Sequence, residues 1–439
     1  MRLSGRIAAA IEVLTDFEAR RVPLKIAIAD WARSARYAGS KDRAWISGVC
    51  LDALRRRSSL AAHMGDASPR AAILGALGAV WRTPIEELAA AAVETPHGPG
   101  ALSDGESVRL FAPPEDDARE PAHIAGDFPE WLTTHMTRAF GDEAAREGRA
   151  LAERADIDLR LNTLKTSPDK ALAALASVGA EVAPFMATAA RIAAPPADAK
   201  APAITIIPAF NKGWVEVQDL GSQIAAAAAG AIKGAQVLDF CAGGGGKTLA
   251  LAAMMENTGQ LYAYDNDARR LQPLYDRAKR AGVRNLQIVN PATDKAALEA
   301  LRGKMDVVFI DAPCTGSGTW RRHPDTKWRL TPEQLERRME EQDHALAEAA
   351  LFVKPGGRLV YVTCSVFMEE NEDRLAAFLS ASTDFAFAPA IEGIVASGLL
   401  SEDGRNALAA CATPDAALRL TPARVRTDGF FIATLKRES

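Results

Sequence analysis

The half of the chain that follows Trp214 alternates between short, β-branched apolar segments and segments with helical periodicity. The apolar segments predict strands at 235–240, 260–265, 286–289, 306–310 and 358–363. The segments between them predict helices at 219–232, from Gly246 onward, at 267–281 and at 331–353. This alternation predicts an α/β fold with a doubly wound parallel sheet, whose ligands bind outside the carboxyl ends of the strands.

Local signals define the ends of the 331–353 helix. Thr331 is a predicted N-cap, Pro332 suits the first helical position, and Gln334 completes a capping box. The Lys-Pro-Gly-Gly segment at 354–357 predicts the end of this helix before the strand at 358–363. The closing segment 428–433 predicts a late hairpin on the same sheet.

The first half of the chain has a different pattern. Residues 5–64 and 69–92 show helical periodicity without strand-like alternation, which predicts an all-α unit. The stretch 95–129 is rich in Pro, Gly, Asp and Glu and predicts a long, partly ordered connection. Helical patterns at 131–155 and 168–178, with a strand-like pattern at 157–162, predict a small α/β subdomain. The predicted domains are therefore 1–140, 141–213 and 214–439.

Charge and cysteine content narrow the functional classes. The formal net charge of −4 does not favour broad, non-specific nucleic-acid binding, yet residues 1–65 carry twelve Lys/Arg against six Asp/Glu. Residues 66–150 carry seven against fifteen. The five cysteines form no C-x-x-C pair, which argues against zinc or another metal, and their odd number favours reduced thiols in a cytoplasm. No apolar run predicts a membrane span.

A glycine-rich loop follows the 235–240 strand and reads Cys241-Ala-Gly-Gly-Gly-Gly-Lys-Thr248. It is not a P-loop, because Cys241 occupies the position of the required first glycine, and it is not G-x-G-x-x-G, because Thr248 replaces the third glycine. Asp265 ends the next strand, where a carboxylate can accept hydrogen bonds from ribose hydroxyls. These features predict a site for S-adenosylmethionine or a nucleotide.

Two cysteines lie just past predicted strand ends. Cys314 opens a Gly/Ser/Thr loop after Asp311, and Cys364 stands between Thr363 and Ser365. Carbon 5 of cytosine is too weak a nucleophile to attack a sulfonium methyl group, but a thiolate that adds to carbon 6 activates it. A carboxyl group can stabilise the added state, and a second cysteine can assist removal of the carbon 5 proton. The pattern therefore favours covalent catalysis on cytosine over a purely structural role for both thiols.

These motifs closely resemble the RsmB/Nop/Sun (Fmu) family of RNA 5-methylcytosine methyltransferases. The resemblance covers about 157 to 436. It rests on the Gln-Asp-Leu-Gly-Ser-Gln segment at 218–223, on Asp-Ala-Pro-Cys-Thr-Gly-Ser-Gly at 311–318 followed by Arg-Arg-His-Pro-Asp at 321–325, and on Thr-Cys-Ser at 363–365 with Glu-Glu-Asn-Glu at 369–372. It implies a Rossmann-like class I methyltransferase domain that uses S-adenosylmethionine.

The resemblance also implies roles for individual residues. Cys364 would be the nucleophile, Cys314 would serve product release, Asp311 would contact the target cytosine, and Lys247 would lie near the base and the cofactor. The expected cofactor-binding residues are Cys241, Ala242, Gly243, Gly244, Gly245, Gly246, Lys247, Asp265, Arg270, Asn290 and Asp311. Two departures stand out: Gly243-Gly244 replaces the usual Ala-Pro, and either Asn290 or Asp294 takes the place of the aspartate that usually meets the adenine.

The N-terminal 1–140 resembles, more loosely, the NusB-like domain of the RsmB branch, through 31–37, 39–43 and 54–57. The resemblance implies a cytoplasmic, monomeric enzyme that methylates RNA, with small-subunit ribosomal RNA as the expected substrate. Arg321, Arg322 and His323 are expected to line an RNA channel, with ordinary salt bridges as the alternative. Three alternatives remain at this stage: the same chemistry on transfer RNA, a non-catalytic RNA-binding or ribosome assembly factor, and a methyltransferase for protein or small molecules.

Overall fold

The computed structural model describes residues 1–112, 120–197, 199 and 201–439. The chain forms two compact units. The first comprises Met1–Arg154, Pro195–Ala201 and Thr319–Leu330, and the second comprises Ala155–Ala194, Pro202–Gly318 and Thr331–Ser439. The predicted connection at 95–129 contains two short helices in its described part, while 113–119 lies outside the described residues.

The described part of the first unit is helical, as the periodicity predicts. Its apolar stripes meet in one core that includes Ile7, Phe17, Ile46 and Leu74. The helices are α1 (Leu3–Arg20), α2 (Leu24–Ser34), α3 (Ser40–Arg55), α4 (Arg57–Met64), α5 (Pro69–Gly75), α6 (Ile85–Val93), α7 (Asp104–Phe111), α8 (Ala122–Ala125), α9 (Thr133–Phe140), α10 (Ala144–Leu151) and, from the later insertion, α17 (Pro324–Arg329). This all-helical region fits the predicted NusB-like domain.

A small antiparallel sheet opens the second unit. Its strands are β1 (Ile157–Leu161), β2 (Glu181–Val182), β3 (Ala189–Ile192) and β4 (Val215–Val217), in the order β2-β3-β1-β4. Helices α11 (Pro168–Ala173) and α12 (Pro208–Asn211) pack on it. The boundaries predicted for this subdomain, 141–213, stay a prediction, although strand β4 begins just beyond them.

The larger sheet confirms the predicted α/β fold. Its strands are β5 (Gln236–Asp239), β6 (Gln260–Tyr264), β7 (Leu286–Val289), β8 (Met305–Asp311), β9 (Val353–Thr363), β10 (Phe385–Ala388), β11 (Leu418–Leu420) and β12 (Phe430–Arg437). The order is β10-β12-β9-β8-β5-β6-β7, and β11 pairs with β12. Strands β5 to β9 are parallel, whereas β12 runs antiparallel to β9. From β5 the chain first adds β6 and β7 on one side and then adds β8 and β9 on the other side. The order therefore reverses between β5 and β8, and such sheets bind ligands at this switch point.

Helices cover this sheet at the predicted places. They are α13 (Leu220–Ala227), α14 (Gly246–Met254), α15 (Ala268–Ala281), α16 (Lys295–Glu299), α18 (Pro332–Ala350), α19 (Glu372–Ala381), α20 (Ala390–Ala396), α21 (Glu402–Ala409) and α22 (Pro422–Val425). The capping box of Thr331 and Gln334 starts α18 as predicted. The predicted end of α18 is wrong: it stops at Ala350, because the carbonyls of Leu351 and Phe352 accept hydrogen bonds from Gly303 and Met305 of the neighbouring β8 segment.

A buried ion pair ties the small sheet together and to α13. Asp158 and Arg191 face each other across β1 and β3, and the Asp158 carboxylate accepts hydrogen bonds from Arg191 Nε at 2.6 Å and Nη2 at 2.9 Å. The Leu220 backbone N–H donates to the same carboxylate at 2.9 Å. Arg191 Nη1 also lies 3.4 Å from the Asp156 carboxylate, so removal of Asp158 would leave the buried guanidinium with this longer carboxylate contact alone.

We predict that Asp158→Ala lowers the free energy of unfolding by about 3 kcal/mol, because Arg191 loses its bidentate partner in a buried environment and keeps only the longer, 3.4 Å carboxylate contact with Asp156. Urea denaturation checks this. The matched control is Lys233→Ala, which removes the exposed pair Lys233–Glu256 and should change stability by less than about 1 kcal/mol. Equal effects of the two substitutions would contradict the prediction.

Candidate functional site

The predicted site residues of the second unit gather at one edge of the large sheet. The carboxyl ends of β5, β6, β7 and β8 lead to Cys241, Asp265, Asn290 and Asp311 in turn, and β9 leads to Cys364. Because parallel strands end at the same edge, residues far apart in the sequence come together there.

The glycine loop turns the chain from β5 into α14. Gly243 and Gly245 have φ angles of 49° and 83°, in the left-handed region that glycine adopts without strain. A Cβ on Gly245 would come within 2.2 Å of Leu274 Cδ1, whereas a Cβ on Gly246 would meet nothing within 4 Å. The Ala242 N–H donates to the Tyr264 carbonyl at 2.9 Å, which joins the loop to the end of β6.

Asp265 forms the next wall of the site. Its side chain is 1% exposed, and Oδ2 accepts from the Gly243 N–H at 3.0 Å while Oδ1 accepts from the Asp267 N–H at 3.0 Å. Arg270 Nη1 lies 3.3 Å from the Asp265 carboxylate, and the predicted role of Arg270 at the cofactor stays a prediction. Helix α15 is also joined to the loop by a hydrogen bond from Arg277 to the Gly244 carbonyl.

Lys247 and Asp311 form an ion pair with Nζ–Oδ2 2.7 Å apart. Burial opposes the charged form of Lys247, but the Asp311 carboxylate outweighs it and raises the pKa of Lys247. The Lys247 ammonium also interacts electrostatically with Cys364 and lies 5.2 Å from the centroid of the Phe430 ring. The side chain of Asp311 is 34% exposed, so its carboxylate remains open to a ligand.

The two thiols lie side by side. Cys314 Sγ and Cys364 Sγ are 3.3 Å apart, and both cysteines are half-buried and reduced. The hydrogen bond to Cys364, together with burial, raises the pKa of the Cys314 thiol well above its usual value. Either thiol can donate the hydrogen bond that joins the two sulfur atoms.

The buried carboxylate of Glu370 accepts hydrogen bonds from both cysteine loops. The sequence placed Glu370 in the Glu-Glu-Asn-Glu motif but assigned it no role. Glu370 is fully buried and accepts hydrogen bonds from the Thr315 N–H at 2.8 Å, the Thr315 hydroxyl at 2.5 Å and the Ser365 hydroxyl. Gln342 Nε2 donates to the same carboxylate at 3.0 Å and to the Pro313 carbonyl at 2.8 Å. Each thiol is therefore one residue away from a group that Glu370 holds.

Asp239, the last residue of β5, is a further buried carboxylate at this edge that was not predicted from the sequence. Its Oδ2 accepts a hydrogen bond from the Thr248 hydroxyl at 2.6 Å, and its Oδ1 has no partner among the described residues. Burial, aided by the nearby charges of Asp311 and Asp265, raises the pKa of Asp239 to about 7. An aspartate that ends a strand at the ligand edge was the available signal in the sequence.

Other predicted residues occupy less decisive positions. Asn290 Oδ1 accepts from the Ala292 N–H at 2.9 Å, and Asp294 Oδ2 accepts from the Asn290 N–H at 3.0 Å, so both shape one turn and the choice between them stays open. Arg321 is buried, Arg322 half-buried and His323 exposed within the first unit, and their predicted RNA contacts stay a prediction.

We predict that Asp239→Asn stabilises the protein relative to wild type more at pH 8 than at pH 5. With a pKa raised from 3.8 to about 7, the folded carboxyl group keeps its proton where the unfolded one is ionised. The free energy of unfolding of the wild type therefore falls as the pH rises from 3.8 through about 7. The side-chain amide of Asp239→Asn does not titrate, so the variant lacks this loss. Urea denaturation at both pH values measures the difference; the exposed control Asp276→Asn should show none, and a pH-independent difference for Asp239→Asn would contradict the prediction.

We predict that Glu370→Ala separates the two thiols and lowers the free energy of unfolding by at least about 2 kcal/mol, because several buried donors lose their acceptor. A trivalent phenylarsenical, which bridges two adjacent thiols, should bind this variant more weakly than wild type. Glu370→Gln keeps an acceptor oxygen and is the matched control that should retain tight binding. Undiminished arsenical binding by Glu370→Ala would contradict the positioning role.

Comparison with known families agrees with this geometry. The family model described as 16S rRNA methyltransferase RsmB/F matches residues 230–436. A second model, the ferredoxin-like domain of RsmF/B-like methyltransferases, matches 128–197. The first match contains both cysteine loops and the glycine loop, and the second contains most of the small sheet.

The probable ribosomal RNA small subunit methyltransferase B of Synechocystis is 31% identical over 314 residues, which are 71% of this chain and 67% of that protein. Several other curated relatives are matched over 58% of their own length. The crystal structure of PH0851 aligns with 100% of this chain and 99% of its own at a TM-score of 0.69 and 24% identity, which supports the fold. NSun6 from Pyrococcus horikoshii, solved with SFG, aligns with 71% of this chain and 99% of its own at a TM-score of 0.59 and 22% identity. The chain therefore belongs to the RsmB/F family of 16S rRNA methyltransferases.

Proposed function

We propose that this protein is an S-adenosylmethionine-dependent RNA cytosine-C5 methyltransferase that acts on small-subunit ribosomal RNA. The observation that carries the proposal is the 3.3 Å pair of thiols beside the Lys247–Asp311 ion pair, at the ligand edge of a methyltransferase sheet. The names of the relatives support the substrate, since several are small-subunit ribosomal RNA methyltransferases.

The residues at the sheet edge fit S-adenosylmethionine. The residues that would hold it are Gly243 and Gly246 of the glycine loop and Asp265 at the end of β6, because the loop leaves open space at Gly246 and Asp265 supplies a carboxylate. Asn290 or Asp294 would meet the adenine, and Asp239 offers a further acceptor atom. When bound, S-adenosylmethionine supplies an electrophilic methyl group.

In the proposed mechanism the Cys364 thiolate adds to carbon 6 of a flipped-out cytosine, and carbon 5 becomes nucleophilic. The Lys247 cation balances negative charge as the sulfur attacks, and Asp311 hydrogen-bonds to the pyrimidine edge. Once carbon 5 carries the methyl group, a base removes its proton. The electrons of that C–H bond re-form the 5,6 double bond and expel Cys364. Cys314 lies next to this sulfur and serves the elimination step.

Cysteine usage supports a cytoplasmic location, because the described chain carries free thiols and no disulfide. No helix in the described part of the chain is long and apolar enough to cross a membrane. We further propose that the enzyme acts as a monomer, because all of the proposed catalytic residues come from one unit of one chain.

We predict that Cys314→Ala, purified from cells, carries a slower, ribonuclease-sensitive band on a denaturing gel, because the adduct forms but is not released. Turnover should fall at least about 100-fold, the usual contribution of acid–base assistance. Cys314→Ala/Cys364→Ala should carry no such band. The matched control Cys50→Ala, a buried cysteine of the helical unit, should behave as wild type.

An adduct that persists in Cys314→Ala/Cys364→Ala would contradict the assigned nucleophile. Bisulfite sequencing of ribosomal and transfer RNA from a deletion strain identifies the substrate. If the deletion made cytosines sensitive to bisulfite only in transfer RNA, the proposed ribosomal RNA substrate would be contradicted. The proposed cytosine-C5 methylation would still stand.

A further inference from the structure

A cluster of cations surrounds an indole on the small subdomain, at a place that the proposed chemistry does not use. Lys212 Nζ and Lys170 Nζ lie 4.8 and 5.0 Å from the centroid of the Trp214 ring, so the two ammonium groups are within about 10 Å of each other. Lys165 is exposed on the same turn that Asn162 starts. We call Lys165, Lys170, Lys212 and Trp214 the Trp214 patch.

Buried hydrogen bonds hold these residues in place. Asn162 Nδ2 donates to the Gly213 carbonyl at 2.8 Å and to the Ala281 carbonyl at 2.9 Å, so it joins the small sheet to the end of α15. Gly213 packs so closely that a Cβ would meet the Arg280 carbonyl oxygen at 2.0 Å. The Lys165 side chain runs over Gly282, where a Cβ would come within 2.9 Å of its Cδ.

The patch has unbalanced positive charge. None of Lys165, Lys170 and Lys212 forms an ion pair with a carboxylate in the part of the chain that the structure describes. The nearby Glu216 is already shared by Arg280 at 2.5 Å and Arg277 at 3.2 Å. Like charges at this spacing repel, and each exposed cation–π contact returns only about 0.5–1 kcal/mol, so the arrangement suits a polyanion better than it suits the free protein.

The patch is rigidly connected to the catalytic edge. Arg277 and Arg280 both lie on α15 and both hold Glu216 of β4, and Arg277 also donates to the Gly244 carbonyl of the glycine loop. Cations interleaved with an aromatic ring are typical of surfaces that bind single-stranded nucleic acid. A phosphate group bound at the patch is therefore bound by the same unit that carries Cys314 and Cys364.

We propose that the Trp214 patch binds the phosphate backbone of the substrate RNA outside the target nucleotide, with Lys170 and Lys212 as the principal contacts. This inference rests on the proposed function for the identity of the RNA. It assigns the small subdomain a positioning role, because phosphate contacts fix register and orientation without reading sequence.

The test compares Lys170→Ala/Lys212→Ala with wild type in binding an in vitro transcribed small-subunit ribosomal RNA fragment at several salt concentrations. Loss of two phosphate contacts should make the slope of log affinity against log salt shallower by about 2 and weaken binding about tenfold. The KM for the RNA should rise, while the KM for S-adenosylmethionine should stay unchanged. Lys170→Arg/Lys212→Arg should restore the wild-type slope.

The matched control is Lys233→Ala/Lys436→Ala, which removes two exposed lysines of the same unit outside the patch and should leave the slope unchanged. A wild-type slope for Lys170→Ala/Lys212→Ala would overturn the proposal. If the same variant lost affinity for an acidic protein while keeping the wild-type slope with RNA, the patch would bind protein and the proposal would also be overturned. Failure of the wild-type enzyme to methylate any RNA would contradict the proposed function and not the patch, because the salt slope is measured without turnover.

Discussion

The site depends on the parallel pairing of β8 with β9. In this pairing Asp311 lies opposite Val362, so both strands end at the same edge and the two cysteine loops leave the sheet together. Further hydrogen bonds then lock the loops: the Gly318 N–H donates to the Cys364 carbonyl at 2.9 Å, and Glu370 receives groups from both loops. The 3.3 Å separation of the thiols is a consequence of strand register.

The aspartates at this edge outnumber the cations that pair with them. Asp239, Asp265 and Asp311 all stand at strand ends, whereas Lys247 and Arg270 are the cations that pair with them. Burial makes the surplus felt at Asp239, whose pKa rises to about 7. A cationic methyl donor suits such an edge, because a sulfonium charge offsets part of the surplus negative charge.

The two units divide the chain in a way that linear domain boundaries do not describe. Thr319–Leu330 directly follows the Cys314 loop in the sequence, yet it belongs to the helical unit. There Lys327 is fully buried and its ammonium donates to the carbonyls of Arg55 and Asp127, while Trp328 Nε1 donates to the Leu54 carbonyl at 2.6 Å. The small sheet instead shares its unit with the catalytic sheet, so the Trp214 patch and the two thiols belong to the same unit.

The sequence by itself determined the elements and the chemistry-bearing residues. Its periodicity predicted β5 to β9 and the intervening helices. Cys314 and Cys364 stood out because they follow buried strands among polar and small residues, which are poor core residues, whereas the roles of Asp311 and Lys247 were implied by the family resemblance. The end of α18 was misjudged, since the glycines at 356 and 357 signal a turn but not the pairing of Leu351 and Phe352 with β8.

Only the tertiary structure decided which side chains act together. Glu370, Gln342 and Asp239 look like ordinary polar residues in the sequence, and their importance comes from burial and from partners between 5 and 55 residues away. Likewise, Lys170, Lys212 and Trp214 become one surface only in the folded small subdomain, where both ammonium groups approach the same ring. Local sequence fixes backbone propensity and hydrophobic pattern, whereas the pKa of a carboxyl group and the spacing of two thiols depend on contacts that strand pairing creates.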